Sequence, residues 1–218
     1  MPVVVVASPK GGAGKSTTSV ILGTELALAG ATVQMLDCDP NGSLSLWASK
    51  QKLPERVALI TDVTESSVVR TIKTLDQDGH VVIVDLEGVA SRLVSRAISQ
   101  ADLVITPMRA TILDATIGAR AIQLIAEEEE ALARKIRHAV VFTATKHVKS
   151  LQHRGIENSL REQGVDIIKP DLMERSAYSA LFEFGGDLTS LPPQGNMEAA
   201  RANASDFAHE VYKRLIAE

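Results

Sequence analysis

The chain has 218 residues, 45% of them hydrophobic and 23% charged, with a formal net charge of −4. That length buries a full core, and one α/β domain over residues 1–218 is the expected count. The acidic balance excludes a global attraction to nucleic acid, no apolar run approaches the roughly 20 residues of a membrane span, and the lone Cys38 excludes an internal disulfide.

Met1-Pro2 leads straight into the apolar run Val3 to Val6 with no charged, cleavable leader, so a cytoplasmic protein is expected. Four consecutive valines have the pattern of a buried strand. Next comes Pro9 to Thr17, PKGGAGKST, in which Gly11, Gly12 and Gly14 around Ala13 let the backbone turn its N–H groups into one cavity. Such a cavity suits a phosphate: Lys15 can reach the outer phosphates, Ser16 offers a hydroxyl to Mg²⁺, and Thr17 lies in the positive first turn of a helix. The common G-x-x-x-x-G-K-[ST] pattern would put glycine at position 9, but this chain has Pro9 followed by a second lysine, Lys10. The match is to the variant K-G-G-x-G-K-[ST].

Ser16 to Ala29 reads as a helix ended by Gly30, and Ala31 to Leu36 as a strand running into Asp37-Cys38-Asp39-Pro40-Asn41. Taken alone, Asp-x-Asp-Pro is a turn with Asp37 capping the next helix. Behind a Walker A loop it places two carboxylates at the strand edge where ligands bind in open α/β sheets. Ser43 to Lys50 is a short helix with Trp47 as packing anchor, Val57 to Ile60 a strand, and Val68 to Leu75 an amphipathic helix. Val81 to Val84 is a strand ending in Asp85-Leu86-Glu87-Gly88, which has the Walker B arrangement: Asp85 beside the metal and the Gly88 amide toward the γ-phosphate. Glu87 is assigned to the loop, facing solvent or a dimer partner, with no catalytic role.

Ser91 to Gln100 reads as a helix, Ala101 to Thr106 as a strand leading into Pro107-Met108, and Ala115 to Ala133 as a long helix with a solvated acidic face at Glu127 to Glu130. Ile136 to Phe142 is a strand followed by Thr143-Ala144-Thr145-Lys146, and Val165 to Ile168 a short final strand. A late helix ends at Gly185-Gly186. Leu191 to Gly195 is a loop, and Met197 to Ile216 closes the chain as a helix packing through Phe207, Val211 and Leu215. The alternation gives an α/β, three-layer α/β/α fold with a mostly parallel central sheet, and the loop resembles that of a P-loop NTPase of the deviant Walker A class.

These motifs resemble the deviant-Walker ATPases, the family of the ParA partition proteins, the MinD division-site proteins and the nitrogenase iron protein. The resemblance implies ATP and Mg²⁺ as cofactors and an ATP-dependent sandwich homodimer in which Lys10, at the signature-lysine position, touches the partner's nucleotide. It assigns Asp39 to orienting or activating the attacking water and Asp37, with Ser16 and Asp85, to the magnesium shell. The family's switch I reads D-x-D-P-Q, so Asn41 stands in the glutamine position with a shorter reach. Thr145 and Lys146 are carried over as a pair framing adenine, and Arg175, in Glu174-Arg175-Ser176-Ala177-Tyr178, as part of the nucleotide site.

Over nearly its whole span the chain looks similar to the small partition ATPases that have no amino-terminal helix-turn-helix domain. That implies non-specific DNA binding, nucleoid association, a ParB-like centromere-binding partner that stimulates hydrolysis, and no stable membrane association. DNA contacts would draw on cations of the carboxyl half: Lys146, Lys149, Lys169, Arg201, Lys213 and Arg214. Two alternatives stay open: a MinD-like membrane-cycling or complex-positioning ATPase, and an ATP-dependent biosynthetic enzyme on the same scaffold. A redox enzyme holding an iron–sulfur cluster between subunits is set aside, because one cysteine inside switch I cannot supply its ligands.

Overall fold

The computed structural model describes residues 1–75, 79–88 and 91–217. Strand β1 (Val3–Val6) lies at the centre of the sheet and is buried along its whole length, as four valines in a row require. Val4 and Val6 join one apolar cluster while Val3 and Val5 join another, so the two faces of a single strand feed two cores. The sheet runs β3 (Val57–Ile60), β2 (Thr32–Cys38), β4 (His80–Leu86), β1, β5 (Leu103–Met108), β6 (Arg137–Thr145), β7 (Asp166–Ile167). The pairings among the described residues are parallel. A parallel order needs crossover connections, and the helices that supply them cover both faces.

On one face lie α1 (Lys15–Leu28), α2 (Ser43–Ala48), α7 (Ser176–Phe184) and α8 (Met197–Ile216); Trp47, Leu181, Phe207 and Val211 are buried there. The other face carries α3 (Val68–Thr74), α4 (Arg92–Ile98) and α5 (Ile112–Leu132), and α6 (Leu151–Glu162) packs at the β6–β7 edge. This is the three-layer architecture expected from the alternation of elements.

Several boundaries differ from expectation, each for a local reason. β2 and β4 run on to Cys38 and Leu86, so Asp37 and Asp85 are strand residues, aligned side by side in the ladder. β5 continues through Pro107, which is possible because its pairing with β1 has already ended at Ile105. α5 begins at Ile112 rather than Ala115, since Thr111 caps it by accepting a hydrogen bond from the Asp114 N–H at 3.1 Å.

Two elements have no counterpart in the sequence reading. The buried face of α6 is His153, Ile156, Glu157 and Leu160, a helical spacing in which half the positions are polar. β8 (Leu172–Met173) is two residues long, and it pairs with β6 at Thr143 and Thr145, so the Val165–Ile168 segment is not the last strand.

Trp47 is fully buried, and its indole N–H donates to the Gly186 carbonyl at 2.9 Å, joining α2 to the turn that ends α7. Trp47→Ala should cost about 3–5 kcal/mol, read from the urea midpoint, and Trp47→Phe about 1 kcal/mol through loss of the hydrogen bond. Half-buried Glu25, on α1 facing α8, is pushed up to about 7 by burial and by the like charge of Asp187, with Arg201 opposing. The fold therefore favours the protonated acid, a contribution fully present below 4.5 and lost as pH rises through about 7. Glu25→Gln should melt with the wild type at pH 4.5 and above it at pH 8.

Candidate functional site

The loop between β1 and α1 turns where only glycine is comfortable: φ is 73° at Gly12 and 91° at Gly14. Gly14 also caps α1, so the helix's free N–H groups and positive end face the cleft in front of it. β6 clamps this loop from behind. The Thr143 hydroxyl donates to the Ala13 carbonyl at 2.7 Å, and a Cβ on Gly14 would lie 3.2 Å from the Thr143 side chain. Across the loop, a Cβ on Gly88 would come within 3.9 Å of the Pro9 carbonyl, so the segment after β4 also packs against it.

Two clefts flank the loop. One, of about 350 Å³, is lined by Gly11, Gly12, Gly14, Lys15, Ser16 and Thr17 together with Asp39, Asn41, Ser43 and Phe182. This is the phosphate side: Lys15 is buried, with its Nζ 4.0 Å from Asp39 Oδ2. The second, of about 280 Å³, continues past Gly12, Gly14 and Thr17 to Thr143, Ala144, Leu172 to Arg175 and Tyr178, with Arg109 at its wall. Its mixed lining and its position off the phosphate side suit a nucleoside. Arg175 belongs to this wall. Thr145 is buried beneath it and Lys146 is exposed beyond it; the walls at this point are Thr143 and Ala144.

Asp85 is wholly buried at the end of β4. One oxygen accepts from the Ser19 hydroxyl at 3.2 Å and the other has no partner among the described residues. Burial, more than the neighbouring Asp37, raises this carboxyl to about 7 against the opposing pull of Ser16, Lys15 and Ser19. An orphaned carboxylate oxygen beside a P-loop serine fits a hard divalent cation, so Ser16 and Asp85 are suited to hold Mg²⁺. Asp37 lies beside them, but its oxygens accept from the Ser45 N–H at 2.8 Å, the Ser45 hydroxyl at 2.6 Å and the Asp39 N–H at 3.4 Å. It thereby fixes the turn into α2. Cys38, between the carboxylates, is buried, and desolvation followed by Asp37 and Asp85 pushes its thiol up to about 12.

Lys10 points away from its own phosphate cleft. Its Nζ donates to Asp114 Oδ2 at 2.8 Å, and the Thr111 hydroxyl donates to the same oxygen. Asp114 is buried, and its other oxygen has no partner among the described residues. The sequence reading missed Asp114 and Thr143. The spacing Thr111-x-x-Asp114 was an available signal of a capped helix start; nothing local marks Thr143.

Among the proposed DNA contacts, Lys149 and Lys169 meet in one cluster, both paired with Glu157 and Asp171. Lys213 and Arg214 share Glu210, Arg214 also pairs with Asp166, and Arg201 donates to the Leu188 carbonyl. Among the described residues, Lys146 alone of the six is exposed with no hydrogen-bond or ion-pair acceptor. Glu87 is exposed, on the wall of a separate acidic cleft with Asp37, Asp39 and Asp62.

Residues 4–188 match the family described as CobQ/CobB/MinD/ParA nucleotide binding domain. The chain is 64% identical over 217 residues to the protein named ParA of Rhizobium radiobacter, covering 99% of this chain and 98% of that one. It superposes with a TM-score of 0.80 on an ATP complex of a Cyanothece McdA variant, at 18% identity over 100% of this chain and 97% of that one. A plasmid partition protein from Borrelia burgdorferi B31, solved with AMPPNP, gives 0.72 at 17% identity over 98% and 99%. At these identities the solved structures speak for the fold alone.

Thr143→Val keeps the volume of the side chain and removes its bond to Ala13. Nucleotide affinity measured by calorimetry should fall roughly 3- to 10-fold, the worth of one buried hydrogen bond, with an unchanged circular dichroism spectrum.

Proposed function

This chain belongs to the CobQ/CobB/MinD/ParA nucleotide binding domain family, and on that premise we propose that residues 1–218 act as one ATPase domain that closes into an ATP-dependent dimer to partition DNA. That the chain is a ParA-like ATPase taking ATP and Mg²⁺ follows from its family and its P-loop cleft. The finer steps are our reading. Ser16 and Asp85 hold Mg²⁺ with Asp37 in its outer shell, Lys15 and the loop amides bind the phosphates, Arg175 and the neighbouring wall hold the nucleoside, and Asp39 orients the attacking water.

The observation that carries the dimer is the placement of Lys10. Lys15 already serves the chain's own phosphates, whereas Lys10 sits at the loop mouth and is held on α5 by Asp114. A lysine redundant for its own pocket is available to a partner's. Withdrawing it strands a buried carboxylate, at a cost on the order of 3–5 kcal/mol, unless the new contacts in the dimer replace what is lost. That cost accounts for a low basal turnover, relieved when a ParB-like centromere-binding partner stabilises the closed state. The dimer binds DNA non-specifically, which places the protein in the cytoplasm on the nucleoid. Among the described residues no helix is long and apolar enough to cross a membrane.

Lys15→Ala should abolish nucleotide binding, whereas Lys10→Ala should bind ATP as a monomer yet fail to dimerise in sedimentation with a non-hydrolysable analogue. Normal dimerisation of Lys10→Ala would remove the role given to that residue. Retention on non-specific DNA with ATP but not ADP, weakening steeply with salt, is the expected result for the wild type. Retention on liposomes instead would favour membrane cycling, and retention on neither a biosynthetic enzyme.

A further inference from the structure

We propose that Asn41 is a positioning residue for Asp39: its side-chain amide fixes the carboxylate so that one chosen oxygen faces the phosphate cleft. This rests on the reading of Asp39 as the group that orients the attacking water.

Asp39 Oδ1 accepts two hydrogen bonds from the same residue, one from the Asn41 backbone N–H at 2.9 Å and one from the Asn41 side-chain N–H at 2.7 Å. Oδ2 is left on the other side, 4.0 Å from Lys15 Nζ. The turn that permits this is itself held, because the Gly42 N–H donates to the Asp39 carbonyl at 2.8 Å and Gly42 takes a φ of 62°. Asp39 and Asn41 line the same cleft as the P-loop.

The terminal torsion of an aspartate is broad and roughly two-fold, so a free carboxylate presents either oxygen over a wide range of angles. Two donors on one oxygen fix the plane. The backbone donor is available whatever residue occupies position 41, but the second exists only because the side chain carries an amide short enough to close back over two residues. Glutamine, the residue of the family's pattern here, carries that amide one methylene further out. The shorter side chain thus redirects the donor from the open cleft onto Asp39. Positioning matters to rate more than to binding, since a small misplacement of the group that aligns a nucleophile can cost up to about 100-fold.

The test is a double-mutant cycle on the full chain, comparing wild type, Asn41→Ala, Asp39→Ala and the double variant for kcat, KM and ATP-analogue affinity. Asn41→Ala should lower kcat roughly 10-fold with KM and melting temperature unchanged, and the double variant should turn over no more slowly than Asp39→Ala. A readout without nucleotide is the nitrogen–proton cross-peak of the Asn41 side-chain amide. Asp39→Ala should move it to the position of an unbonded amide. Full-rate turnover by Asn41→Ala, or the same loss repeated in the Asp39→Ala background, would overturn the inference while leaving the role of Asp39 intact. Wild-type turnover by Asp39→Ala would remove the reading beneath it as well.

Discussion

Burying a carboxyl disfavours its ionised form, and β4 does this at Asp85, which is pushed up to about 7 despite the pull of Ser16, Lys15 and Ser19. The strand that delivers it is almost wholly apolar, and its free oxygen has no donor among the described residues. The elements around it are arranged about that unmet demand. Parallel strands bring Asp37 alongside, α1 begins at Lys15 and Ser16 in front, and the loop glycines aim their amides at the same space. The site is thus poised for a divalent cation carrying phosphates, which supplies the missing positive charge and takes up the converging donors at once.

The same logic recurs on α5, where Asp114 is buried with one oxygen bonded to Lys10 and the other without a partner among the described residues. One face of the loop answers an acid with a cation to be brought in, and the other answers an acid with the chain's own lysine. In the proposed dimer these opposite charges would make the P-loop the junction between binding and assembly. Four of the six cations proposed to touch DNA are already paired with neighbouring acids, Glu157, Asp171, Glu210 and Asp166.

How much of this could be read from the residues depended on sequence distance. The glycine loop, the strand ahead of it and the two acidic strand ends are each contained within a dozen residues, and their chemistry is local; the structure brings Lys15, Ser16, Asp39 and Asp85 to one edge. Thr143 was not legible because its role comes from β6 passing behind a loop 130 residues earlier. α6 escaped for a different reason: its inward face holds His153 and Glu157, whose burial depends on the lysines of other segments, so hydrophobic periodicity fell short of a helix. β8 is too short to leave a pattern at all. Thr145 and Lys146 were chosen by resemblance along the chain, and the cleft wall lies two residues earlier.

The burial of Cys38 has a practical consequence at the bench. A thiol with a pKa near 12 is almost wholly protonated at neutral pH, and it is shielded by the strand that holds it. Maleimide dyes should pass it over in the native protein, so a single cysteine placed at a solvent position would carry a fluorophore without first removing the natural one.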